Sequence, residues 1–152
     1  LRFPEQKRVF SMIPALKKAE YVRYGVMHRN TFLDSPRLLD RYYRVRGNER
    51  LMFAGQITGV EGYVESTASG CLAALELARR LEGKAPIDFP RETAMGAMAL
   101  YVSDQSVVNF QPMNVNFGLI PQLGYRVKGK RNKNAAISQR ALEALAGLDL
   151  GV

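Results

Sequence analysis

The chain has 152 residues, 47% of them hydrophobic, enough for one domain-sized core or for a piece of a larger one. No run of about 18 apolar residues occurs, so no transmembrane helix is expected. The single cysteine, Cys71, excludes an internal disulfide and a cysteine-rich zinc site, and fits a reducing cytoplasm. The net charge of +8 points to an acidic partner, nucleic acid first, with a merely solvated basic surface as the alternative.

The opening Leu1-Arg2-Phe3-Pro4-Glu5 has no charged segment ahead of an apolar stretch and no initiator methionine. The expectation is therefore no signal peptide, and a chain cut from something longer. Glu5 to Met12 reads as a short helix stopped near Pro14. Glu20 to Val26, rich in tyrosine and valine, reads as a strand. Met27 to Pro36 reads as a polar loop with the only histidine, His28. Leu38 to Val45 is expected to be extended, and Arg50 to Ala54 to be a strand.

The clearest helix runs from Gly62 to Leu81 and ends at Gly83. Val64, Ala68, Cys71, Leu72, Leu75, Ala78 and Leu81 recur on it at helical spacing and define an apolar face. On that face Cys71 is expected to be a small buried hydrophobe, not a catalytic group. Lys84 to Pro90, with two prolines, reads as a linker. It suggests two parts, 1–83 and 84–152. Thr93 to Val102 is a second helix with Thr93 as its cap. Val107 to Tyr125 is expected to be irregular. Asn134 to Ala146 reads as a last amphipathic helix, with Ile137, Ala141, Leu142 and Leu145 on one side. The fold class is α/β.

The segment Leu51 to Ser66 carries the main chemical signal. A short apolar run leads into Gly55-Gln56-Ile57-Thr58-Gly59-Val60-Glu61-Gly62-Tyr63, and the long helix follows at once. Glycine lets a ligand approach the backbone and tolerates positive φ. The first amides of a helix are unpaired and partly positive. Together they suit an anion or an electron-rich ring edge; the alternative is an ordinary strand–turn–helix connection. Tyr63 can stack on an aromatic ligand or pack on the core. Glu65 is favoured by the helix dipole where it stands, and Glu61 has no role assigned.

His28-Arg29-Asn30 is a second polar cluster. Arg29 suits a carboxylate or phosphate, and Asn30 can donate to and accept from a heterocycle edge. A structural histidine beside a surface arginine is the other reading. The third cluster is basic. From Gln105 to Leu142 there is no acidic residue, yet Arg126, Lys128, Lys130, Arg131, Lys133 and Arg140 all fall there. The first five suit phosphate contacts, which give affinity without sequence information. Phe110, Met113 and Phe117, set among amides between Asn109 and Gly118, suit the lining of a pocket for an aromatic cofactor, or a packed loop.

The wording of these segments is more specific than their spacing. Ala54 to Ser66 closely resembles the flavin-binding segment of the folate- and FAD-dependent tRNA (uracil-5-)-methyltransferases, which are related to tRNA-modifying flavoproteins of the glucose-inhibited-division type. Glu5 to Val9, Tyr24 to Phe32, Thr93 to Gly96 and Asn109 to Gly118 resemble the same family, in order. The resemblance implies an enzyme in which methylenetetrahydrofolate supplies a one-carbon unit, reduced FAD mediates its transfer and reduction, NAD(P)H reduces the flavin, and C5 of a T-loop uridine in tRNA is methylated.

The resemblance also implies that Gly55 to Tyr63 belong to the FAD site and that His28, Arg29 and Asn30 lie near the flavin and folate. Its catalytic cysteines lie outside this chain, and no metal is implied. The chain lacks a GxGxxG between strand and helix. By the resemblance it is then the C-terminal portion of a Rossmann-like flavoprotein, with a partner segment carrying the fingerprint. Two alternatives stand beside it: a nucleic-acid-binding module without flavin, and a related flavoprotein modifying the wobble uridine.

Overall fold

The structure, a computed structural model, describes residues 1–25 and 30–150. Its contacts divide the chain into two units, Leu1–Asn30 and Thr31–Val152. Pro4 near the start of helix α1 (Phe3–Phe10) suits a first turn, where its missing N–H has no partner to lose. A 3₁₀ turn follows at Pro14–Leu16. The buried side chain of Gln6 organises this unit. Its Nε2 donates to the carbonyls of Leu1 (2.8 Å) and Gly25 (2.9 Å), and its Oε1 accepts from the Gly25 amide (3.1 Å).

That clasp explains a departure from expectation. Residues 20–25 do not form a strand. Among the described residues no strand pairs with them, and the Gln6 amide satisfies both backbone groups of Gly25. Tyr21 and Tyr24 turn their rings to Phe10 and Phe3 of α1 instead. β propensity reports a fit to a pleated surface, and here the aromatic surface is a helix.

The second unit starts with a short helix, α2 (Ser35–Leu38), whose Ser35 and Pro36 are buried where a loop was expected. The stretch from Leu38 to Val45 is mostly not extended. Leu38 ends α2, residues 40–43 turn, and only Arg44–Val45 form strand β1. Asp40 is the cause: its Oδ1 accepts from the amides of Tyr42 (2.9 Å) and Arg44 (3.0 Å), a side-chain mimic of a turn. Tyr43, buried at 1% exposure, is held there at φ +65°. β1 pairs antiparallel with β2 (Asn48–Met52) through a bulge, with Arg44 opposite Met52 and Val45 opposite Asn48.

Helix α3 (Tyr63–Leu81) begins after Gly62 at φ +97°. It ends in a Schellman arrangement: the Lys84 amide donates to the Arg79 carbonyl (2.8 Å), the Gly83 amide to that of Arg80 (3.0 Å), and Gly83 takes φ +69°. Its buried positions are Ser69, Leu72 and Glu76. The buried face is thus rotated from the expected stripe. Cys71 is exposed, as are Val64 (79%) and Leu81 (80%).

Two polar residues hold the buried face because each has a task. Ser69 serves the glycine turn, and Glu76 faces Arg44 (3.3 Å), which also binds Asp40 (2.7 Å). Burial raises the Glu76 carboxyl above its usual range, Arg44 opposes the shift, and one of the two oxygens of Glu76 has no hydrogen-bond partner. Beside this group the Tyr42 hydroxyl donates to Asp88 (2.6 Å) and is pushed up to about 12 by burial and by that carboxylate.

Helix α4 (Ala94–Ser103) is apolar on all sides and forms the centre of the core. Thr93 caps it, accepting from the Gly96 amide at 2.9 Å. Gly96 is required: an added Cβ would lie 2.7 Å from the Pro90 carbonyl carbon. Around α4 pack Leu39, Tyr43, Val60, Leu72, Phe89 and Phe110. A second cluster joins Ala97 and Ile120 to Ile137 of helix α5 (Lys130–Ala146). α5 starts four residues before the expected Asn134, because Gly129 at φ +84° opens it. The proposed boundary at residue 84 falls inside the second unit, where α3 and α4 pack together.

Candidate functional site

The glycine turn is built almost entirely from backbone. Gly55 (φ +76°) opens a 3₁₀ turn at Gln56–Thr58, Gly59 (φ +84°) closes it, and Gly62 opens α3. Thr58 is fully buried and its hydroxyl donates to the Gly55 carbonyl at 2.7 Å. The Gly55 amide donates to Ser69 Oγ (2.8 Å), whose hydroxyl donates to the Ser66 carbonyl (2.8 Å). The Ile57 carbonyl accepts from the Leu33 amide (2.8 Å). The turn is therefore tied to α3 at Ser69 and to the chain before α2.

The segment Asn109 to Gly118 closes over it. Val60 and Met113 form a parallel bridge, with the Glu61 amide donating to the Met113 carbonyl (3.0 Å) and the Met113 amide to the Gly59 carbonyl (3.1 Å). Gly59 is buried, its amide donates to Gln56, and the close approach it permits is to the ring of Phe110. Gly62 faces the carboxylate of Glu65 and the side-chain amide of Asn114. Gly62, the N-cap of α3, has no side chain to cap its first amides, no other side chain among the described residues is seen to cap them, and Tyr63 is 96% exposed. Gln56 is exposed too, while Val60 is buried in the core. Beside the first turns of α3 lies a cavity of about 480 Å³, largely apolar, lined by Val64, Ala68, Leu72, Met95, Met98 and Val115 among others.

The residues present fit a heterocycle such as a flavin at one end of the turn. Uncapped helix amides and Asn114 offer polar groups to a ring edge, and Tyr63 is free to meet a ring face. Ser69 and Asn114 escaped the sequence reading. The signal for Ser69 was a hydroxyl on an otherwise apolar stripe. Asn114 lay in a segment already suspected of lining a pocket.

His28 and Arg29 lie outside the described residues, and Asn30 is exposed. The basic stretch is at the far end of the second unit's sequence. Arg126, Lys128, Lys130 and Arg131 are exposed and form no salt bridge among the described residues. Lys133 donates to Gln122 Oε1 (2.8 Å), and Arg140 binds the carbonyls of Pro121 and Gln122. Lys130, Arg131 and Lys133 occupy the start of α5, which has no acid in its first turn. Among the described residues no group of His, Cys, Asp and Glu side chains is arranged to hold a metal ion, and no helix is long and apolar enough to cross a membrane.

Residues 1–85, which contain the glycine turn and all of α3, match the family described as glucose inhibited division protein A. The chain belongs to that family. It is 57% identical over 145 residues to a protein of Heliobacterium modesticaldum named methylenetetrahydrofolate--tRNA-(uracil-5-)-methyltransferase TrmFO, an alignment covering 95% of this chain and 33% of the relative. Proteins of the same name from Ligilactobacillus salivarius and Enterococcus faecalis are 56% identical over 145 residues and 55% over 146, covering 33% and 34% of their lengths. The chain thus spans about a third of the length of the curated relatives it matches.

Proposed function

We propose that this chain is the C-terminal portion of a folate- and FAD-dependent tRNA (uracil-5-)-methyltransferase forming 5-methyluridine in the T-loop, with NAD(P)H as reductant. The observation that carries the proposal is the identity of 57% over 95% of the chain to a protein with that printed name. Residues 1–83 complete a Rossmann-like FAD-binding domain whose dinucleotide fingerprint lies in the remainder of the protein, and residues 84–152 form a basic helical part. A tRNA substrate places the enzyme in the cytoplasm.

In this reading Gly62, Tyr63 and the first amides of α3 meet the flavin. Gly55, Gln56, Thr58, Gly59, Val60 and Glu61 fix the turn that aims them. FAD, when bound, supplies the electrons that convert the folate-derived one-carbon unit to a methyl group. The contribution of α3 would be electrostatic: its positive end is held in place by the fold and would stabilise negative charge on a bound ring without reorganising. His28, Arg29 and Asn30 serve the folate. Arg126, Lys128, Lys130, Arg131 and Lys133 hold the tRNA backbone.

The test is the complete protein with Gly62→Val. It should fold, lose its flavin absorbance and lose folate-dependent methylation; normal flavin occupancy would refute the reading. The free cations of the basic stretch favour one other reading, an RNA-binding module with no flavin role. A complete protein that binds tRNA but carries no flavin spectrum would decide for it. A wobble-uridine enzyme is separated from both by mapping the modified nucleotide.

A further inference from the structure

Helix α1 places Phe3 and Phe10 two turns apart on one face, about 10 Å along the axis. Tyr24 and Tyr21 fill the gap. The four rings form a ladder in the order Phe3, Tyr24, Tyr21, Phe10, with centroids 5.4, 5.5 and 6.4 Å apart and planes inclined by only 19°, 14° and 22°. Gln6 holds the ladder in register by clasping Gly25, next to Tyr24. The two tyrosines are half-buried, and within this chain the end rings are uncovered: Phe3 is 53% exposed and Phe10 37%. The Tyr21 hydroxyl is buried without a hydrogen-bond partner among the described residues.

The charges around the ladder are one-sided. Arg2, Lys7, Arg8, Lys17, Lys18 and Arg23 are all exposed, against only two acids, Glu5 and Glu20, over residues 1–25. Of the six cations, only Arg8 is in an ion pair among the described residues, with Glu5 at 2.7 Å. A surface made only to pack on another protein core has no use for so many unpaired cations. Flat rings open at the ends of a stack, set among free cations, match the two features of unpaired RNA: base faces and phosphates.

We propose that the ladder of the first unit is a stacking platform for unpaired nucleotides of the RNA substrate, with Phe3 as the ring that receives a base. The proposal rests on the reading that the protein acts on tRNA. It adds a second RNA contact that recognises loop rather than stem, whereas the stretch from Arg126 to Lys133 has the character of a backbone contact. Every base has a π face, so the platform selects unpaired over paired nucleotides without reading their identity.

The test uses the complete protein and two labelled RNAs of equal length, a hairpin with an unpaired loop and a blunt duplex, titrated by fluorescence anisotropy. Phe3→Leu keeps apolar bulk but removes the flat face. It should weaken hairpin binding about tenfold and leave duplex binding unchanged. Phe3→Trp should restore the hairpin affinity. Equal hairpin affinity in wild type and Phe3→Leu would overturn the proposal. So would a loss of affinity for both RNAs together with a lower melting temperature, which would mean that the rings only hold the fold. Loss of binding to phosphatidylglycerol vesicles, with hairpin binding intact, would assign the surface to membrane and also overturn it. If wild-type protein binds neither RNA, the tRNA reading itself fails and takes the ladder with it.

Discussion

In the function proposed here, the glycine turn and the basic stretch are two opposite ways of making a binding surface. At the turn the polar groups are largely committed inward: Gly55 to Ser69, Thr58 to Gly55, Gly59 and Glu61 to Gln56 and Met113. What the turn leaves for the proposed ligand is the start of α3 beside Asn114 and the exposed ring of Tyr63. In the basic stretch the side chains stand out, and none of the five cations makes a salt bridge among the described residues, Lys133 alone donating to the neutral Gln122. A site made from backbone has no spare parts, so one atom in the wrong place removes it. A site made from charge is redundant, so each removal subtracts a share. The contrast predicts all-or-none behaviour at the first and graded behaviour at the second.

The largest effect is therefore expected from Gly62→Val. A β-branched residue is strained at φ +97°, and its Cβ would run into the Glu65 carboxylate and come within 2.7 Å of Asn114. Flavin absorbance per mole of complete protein should fall more than tenfold while tRNA affinity is kept. A half-filled flavin site would mean that the turn adapts, and the contrast would lose one side.

Next in size is the triple change Lys128→Gln, Lys130→Gln, Arg131→Gln. Three phosphate contacts removed should lower the slope of log affinity against log salt by about 2–3 and weaken tRNA binding about 10- to 1,000-fold at moderate salt. Flavin content should stay constant, and each single change should take a fraction of the loss. Filter-binding titrations at several salt concentrations check this. One residue carrying the whole loss would make the stretch a specific contact, not a diffuse one.

The two regions also differ in how far the sequence discloses them. α3 and α4 follow from local chemistry: Gly62, Gly83 and Thr93 mark their ends, and the structure places those residues at a cap, a C′ glycine and a cap. The glycine turn itself was legible for the same reason. Its closure by Phe110, Met113 and Asn114 was not, because those contacts join residues about fifty positions apart, and only the fold brings them together. The buried face of α3 was misread because Cys71 and Val64 look more apolar than Ser69 and Glu76. Those two are buried for a hydrogen bond to Gly55 and an ion pair with Arg44, and neither partner is visible in the periodicity of one helix. The tyrosines of residues 20–25 misled in the same way, since their stacking partners stand on α1.

A smaller effect concerns how the backbone-built site is held. Glu76 anchors the middle of α3, and its carboxyl is raised because burial outweighs Arg44. A carboxyl raised on folding favours the folded state only while protonated. Its penalty therefore sets in as pH rises through the unfolded value of 4.5 and on through the raised folded one. Glu76→Gln should thus compare better with wild type at pH 7 than at pH 4 in thermal melts, with Arg44 keeping Asp40 as a partner. A difference that runs the other way would show that the Arg44 pair outweighs the burial cost.

The smallest effect tests the charge-built site from its cost. α5 begins at Lys130-Arg131-Asn132-Lys133, with no acid in its first turn and no side-chain cap. Three cations there oppose the positive end of the helix dipole, so the sequence gives up stability at the place where free cations gather. Lys130→Glu removes one opposing charge and adds a favourable one. It should raise stability by about 0.3–1 kcal/mol, read as a higher melting temperature of the complete protein. The same change should weaken tRNA binding and leave the flavin untouched. Opposite signs from one substitution are what a surface selected for an anion predicts, and a surface selected only for solubility predicts no loss of tRNA affinity. A fall in melting temperature would instead make Lys130 a structural residue and remove it from the RNA surface.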